Sequence, residues 1–111
     1  MNVTELTARK QDGGELTARE IQEVVGGYTT AAISDAEMAA LLRAIVQRGM
    51  TARETAALTL AMVDSGERLD LSGIPGQTVD KHSTGGVGDK TTLVVAPLVA
   101  SLGVPVPKMS G

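Results

Sequence analysis

No cysteine, tryptophan or phenylalanine occurs among the 111 residues, and tyrosine and histidine occur once each. Without cysteine there is no disulfide framework, no thiolate metal ligand and no cysteine nucleophile. Nothing then demands an oxidising compartment, and a cytoplasmic protein is expected. The near absence of aromatic rings leaves no platform on which bases could stack, and 10 Lys+Arg against 13 Asp+Glu give a net charge of -3. A nucleic-acid partner is therefore not expected. Long hydrophobic runs are missing too: the longest apolar-rich stretch, Leu93 to Leu102, is far too short to span a bilayer. The opening MNVTELTARKQDGG has no apolar core of a signal segment, so a soluble protein without a membrane partner is expected. At 11.4 kDa the chain suffices for one small core.

The charge is unevenly spread. Residues 1–72 carry seven basic and eleven acidic side chains, residues 73–111 three and two, and all four prolines fall in the second part. A boundary is expected in the turn-rich LSGIPG, giving a helical domain over 1–72 and the start of another domain over 73–111. The pentapeptide ELTAR occurs at 5–9 and again at 15–19, a spacing too short for a repeat architecture. In the first part Thr17 with Glu20, Ser34 with Glu37 and Thr51 with Glu54 each fit a capping box, which predicts helices starting near residues 18, 35 and 52. Apolar residues then recur at helical spacing, through Ile21, Val24, Val25 and Tyr28 and through Met38, Leu41, Leu42, Ile45 and Val46. A shorter helix is expected over 3–11, with Gly49 and Gly66 at later helix ends.

The second part changes period. Residues 77–82 read as a short strand, 83–89 (STGGVGD) as a glycine-rich loop, 90–102 as a helix and 104–110 as a second strand. Pro97 predicts a kink in that helix, or a start later than Lys90. Gly85, Gly86 and Gly88 allow close backbone approach and consecutive N–H groups aimed at one anion, next to a helix start. Lys81, His82, Ser83 and Thr84 before the loop, and Thr91 and Thr92 after it, add a cation and hydroxyl donors. The P-loop pattern fails, because Asp89 and Thr84 stand where glycines are needed; the dinucleotide pattern fails at Thr91. On chemistry alone, a phosphate site and a glycine-rich structural turn remain equally open.

The segment DKHSTGGVGDKTTLVVAPLVASLGVPVPKMSG, 80–111, closely resembles the signature of the pyrimidine and thymidine phosphorylases, and GYTTAAISDAEMAALLRAIVQRGMTARETAALTLAMVDSGE, 27–67, resembles their helical domain. The resemblance implies an all-helical domain followed by the first strand-loop-helix-strand unit of a larger α/β domain, of which this chain looks like the N-terminal quarter. It implies reversible phosphorolysis of uridine- or thymidine-type nucleosides to free base and pentose 1-phosphate. Inorganic phosphate is the co-substrate, no organic cofactor is involved, and the helical domain forms a homodimer. By position, the resemblance places phosphate on Lys81, Ser83, Thr92, Lys108, Met109 and Ser110, and turns His82 toward the pyrimidine carbonyl. A potassium ion would sit at Gly88 and Lys90, although Lys stands where the subgroup usually has Thr. The KMS sequence at 108–110 resembles members that accept uridine as well as thymidine. A thymidine-restricted phosphorylase, a phosphoribosyltransferase of the same fold and a non-catalytic helical dimerisation module are the competing readings.

Overall fold

The computed structural model describes residues 2–82 and 90–108. Five helices follow in chain order: α1 (Val3–Gln11), α2 (Ala18–Thr29), α3 (Asp35–Arg48), α4 (Ala52–Ser65) and α5 (Thr92–Ser101). Contacts divide the chain into two units, Met1–Arg68 and Leu69–Gly111. Among the described residues no helix is long and apolar enough to cross a membrane.

The three capping boxes are all formed. Thr17, Ser34 and Thr51 are the N-caps of α2, α3 and α4, each accepting from the backbone N–H of the glutamate three residues on, whose carboxylate accepts the cap's own N–H. Such reciprocal bonds satisfy two donors that a helix start would otherwise leave orphaned. Asn2 caps α1 more simply, its side-chain oxygen accepting from Thr4 N–H at 3.0 Å. In this unit α2 packs on α4 and α1 on α3. Val3, Leu6, Leu16, Ile21, Val24, Ile33, Leu41 and Ala61 form the core, flanked by Val25, Met38, Ile45, Met50, Ala57 and Leu58. The helical periodicity thus places Ile21, Val24 and Leu41 inside, but Tyr28, Leu42 and Val46 are exposed. Within this unit the aliphatic core covers only the centre of each apolar stripe.

One polar cluster is sealed inside the same unit. Lys10, in the last turn of α1, donates to both carboxylate oxygens of Glu54, at 2.8 and 2.9 Å, and the two side chains are 5% and 1% exposed. Glu54 also accepts from Leu16 N–H and Thr51 N–H, each at 2.8 Å. The capping glutamate of α4 therefore ties α1, the loop before α2 and its own helix start together. Burial pushes the Glu54 carboxyl up, but the Lys10 ammonium and the two backbone N–H groups outweigh it and hold the group at about 2 instead of 4.5.

Gly49 and Gly66 do stand at the ends of α3 and α4, yet only one position needs glycine. Gly49 sits at φ 74° and ψ -177°, whereas Gly66 is extended at φ -111°. Gly49→Ala is expected to lower stability by about 1–3 kcal/mol and Gly66→Ala to change it by less than about 0.5 kcal/mol. Urea melts of the two variants check this, and equal losses would contradict it.

In the second unit α5 begins at Thr92, later than Lys90, with Pro97 inside it. The two expected strands are a correction, for among the described residues neither 77–82 nor 104–108 is a strand. They touch through a single backbone bond, Val79 N–H to Pro105 O at 3.1 Å. Pro105 and Pro107 have no N–H, and Lys108 N–H turns back to Val106 O at 2.9 Å, so no ladder can propagate from that contact. Among the described residues no third strand joins these two segments, and two strands alone are marginal in water.

Candidate functional site

The bond from Val79 to Pro105 holds segment 77–82 beside 104–108, and that places Lys81 and Lys108 on one cleft. The cleft has a volume of about 230 Å³ and an almost wholly apolar wall, to which Val79, Val95, Ala96, Val99 and Val106 contribute, and Asp80, Lys81, Thr92 and Lys108 border it. At its helical side, Thr91 already has helical dihedrals, φ -63° and ψ -30°, and its side chain makes no capping bond. The hydroxyls of Thr91 and Thr92 instead accept from Lys81 Nζ, at 3.2 and 2.9 Å. Thr92 is buried and Lys81 half-buried, so these bonds are partly shielded from water.

The chemistry of this triad follows from donor counting. A threonine oxygen that accepts from an ammonium still carries one hydrogen, which must point elsewhere. An ammonium and two such hydroxyls together present more hydrogens than a neutral site would, at the positive end of α5, while each hydroxyl oxygen keeps a second lone pair. The complementary ligand is an anion whose surface oxygens all accept, such as phosphate. Lys81 and Lys108 border the same cleft as Asp80, a net positive balance that favours an anion.

Of the residues singled out in the sequence, Lys81, Thr92 and Lys108 are thus brought together. His82 is exposed and does not line the cleft, and Lys90 is exposed at the approach to α5. Ser83, Gly88, Met109 and Ser110 lie outside the described residues. Lys90 does not fit a potassium ligand through its side chain, which is itself a cation, and its carbonyl accepts from Leu93 N–H at 3.2 Å. Among the described residues no cluster of three His, Asp or Glu could hold a metal ion. Asp80, which also borders the cleft, was not singled out beforehand, and its place next to Lys81 in sequence was the only signal. Thr91 was singled out as a hydroxyl donor after the loop, but not as a partner of Lys81 ten residues away.

The chain belongs to the glycosyl transferase family, matching its helical bundle domain over residues 4–66 and its a/b domain over residues 75–111. It is 60% identical over 111 residues to the pyrimidine-nucleoside phosphorylase of Geobacillus stearothermophilus, 59% to that of Bacillus subtilis (strain 168) and 54% to that of a Staphylococcus epidermidis strain. In each case all of this chain is covered and 26% of the relative, so it spans about a quarter of their length.

Proposed function

We propose that these residues, carried within a chain of the relatives' length, form the helical domain and part of the phosphate cradle of a pyrimidine-nucleoside phosphorylase. The observation that supports this reading most is the Lys81 ammonium held between the Thr91 and Thr92 hydroxyls on the cleft that Lys108 shares. In the proposed reaction a phosphate oxygen attacks C1' of the nucleoside and the C1'–N1 bond breaks. The bonding pair leaves with the pyrimidine, and pentose 1-phosphate and free base result. Lys81 and Thr92 would orient the attacking phosphate, with Ser83, Met109 and Ser110 completing the cradle. Holding nucleophile and anomeric carbon together accounts for much of the acceleration available to such a step. His82 is assigned to the pyrimidine carbonyl, where a donor eases departure of the base.

The finer proposals belong to the same reading. In the full-length chain the helical domain pairs with a second copy, and the enzyme works in the cytoplasm. A potassium ion at Gly88 and Lys90 belongs to the same reading, with Lys90 contributing its backbone carbonyl and not its side chain. A chimera in which these 111 residues replace the matched segment of the Geobacillus stearothermophilus relative tests the proposal: uridine should be consumed, with uracil released, only when phosphate is present. The 111 residues alone should be silent. Consumption that ignores phosphate, or none in the chimera, would overturn the reading.

Lys108 is assigned to the breadth of substrate. A cation close to the sugar can support a 2'-hydroxyl, so Lys108→Met in the chimera is expected to lower uridine turnover relative to thymidine turnover by about 1–3 kcal/mol, roughly 5- to 150-fold. Competition between the two nucleosides in one reaction measures the ratio directly, and an unchanged ratio would remove Lys108 from specificity.

A further inference from the structure

We infer that Thr91 is a positioning residue for Lys81, fixing the ammonium against the start of α5 so that it meets phosphate in one place; this rests on the phosphate-binding reading above. A lysine stem has four rotatable bonds, and with a single acceptor the ammonium can swing about the Nζ–O axis. Two of the groups that hold the ammonium are acceptors on consecutive residues, at 2.9 Å on Thr92 and 3.2 Å on Thr91, and together they narrow that freedom on the α5 side. Of these two acceptors Thr91 is the more constant, because the Thr92 hydroxyl is also the one assigned to the phosphate and must adjust when phosphate arrives or leaves. Thr91 carries no assigned contact to the ligand.

The local backbone explains why Thr91 is available. A threonine at a helix N-cap ordinarily accepts from an N–H two or three residues on. Here the residue has already turned helical and makes no such bond, while its carbonyl accepts from Val95 N–H at 2.8 Å. The hydroxyl is thus released from capping and committed to Lys81, and β-branching limits the rotamers through which it could drift away.

Phosphate affinity by calorimetric titration, with the KM values for phosphate and uridine, tests this in the chimera defined above. Thr91→Val is expected to weaken phosphate binding about tenfold and to raise the phosphate KM in parallel, while the uridine KM stays within about twofold. Thr91→Ser, which keeps the hydroxyl and deletes the methyl, should restore both. In a Lys81→Ala background Thr91→Val should add less than about twofold, since a residue acting through Lys81 has nothing left to position. Unchanged phosphate affinity, a parallel rise in both KM values, failure of serine to rescue or full additivity would each overturn the inference. A chimera that binds phosphate with this Thr91 dependence and cleaves no nucleoside would remove the enzymatic reading and keep the inference. One that cleaves uridine with affinity indifferent to Thr91 would do the reverse, and one that binds no phosphate would remove both.

Discussion

Glu54→Gln is expected to lower the stability of the helical unit by about 3–5 kcal/mol at pH 7, the range for breaking a buried ion pair from one side. The substitution keeps the shape of the side chain but leaves the Lys10 ammonium, on a side chain 5% exposed, facing a neutral amide. For a unit of this size that is a large fraction of its total stability. Lys10→Met should cost less, because Glu54 would retain the Leu16 and Thr51 N–H groups that already favour its ionised form. Glu20→Gln should cost less still: its partner Arg9 is 43% exposed, and exposed pairs contribute about 1 kcal/mol or less.

The pH dependence has a definite sign. A carboxyl held at about 2 when folded and near 4.5 when unfolded stabilises the fold fully above pH 4.5, and that contribution is lost as pH falls toward 2. The shift corresponds to about 3 kcal/mol. The gap between the parent chain and Glu54→Gln should therefore be widest at neutral pH and narrow steadily below 4.5. Urea melts from pH 7 to pH 2 measure it, and a constant gap, or one under about 1 kcal/mol at pH 7, would show that the cluster is not what ties α1 to α4.

The second large effect concerns the site. Lys81→Ala in the chimera should remove a charge-assisted contact to phosphate worth about 1.5–3 kcal/mol, raising the phosphate KM roughly 10- to 150-fold with a much smaller change for uridine. Steady-state kinetics with each substrate varied in turn separate the two. An equal loss for both would mean that Lys81 shapes the cleft rather than holding the anion.

How far such features could be read from the residues depended on how local their causes were. The starts of α2, α3 and α4 were legible to the residue, because a capping box is complete within four positions. The repeated ELTAR shows how narrow that reading is. Thr7 lies inside α1 and donates to Val3 O at 2.9 Å, whereas Thr17 is the N-cap of α2. Leu6 and Leu16 are buried in both copies. What separates the copies lies outside the pentapeptide: three residues after Thr17 comes Glu20, which can reach back, and three after Thr7 comes Lys10, which cannot.

Effects that join distant parts of the chain were not legible. Nothing near Lys10 announces a partner 44 residues away, and the capping role of Glu54 concealed its second one. The expected strands at 77–82 and 104–110 had suitable apolar residues, but pairing is non-local and Pro105 and Pro107 interrupt it from within. At the site, the motif pointed to Lys81, Thr92 and Lys108, which do share a cleft. It gave no means of choosing between Thr91 as cap and Thr91 as partner of Lys81. That choice depended on where α5 starts.

The measurement that bears most directly on the proposed activity is the fate of phosphate itself. The chimera is incubated with uridine and phosphate labelled with oxygen-18 at all four positions, and products are followed by phosphorus NMR and mass spectrometry. Attack of phosphate on C1' predicts ribose 1-phosphate appearing in step with uracil and retaining all four labelled oxygens. Release of free ribose, with the labelled phosphate untouched, would contradict it.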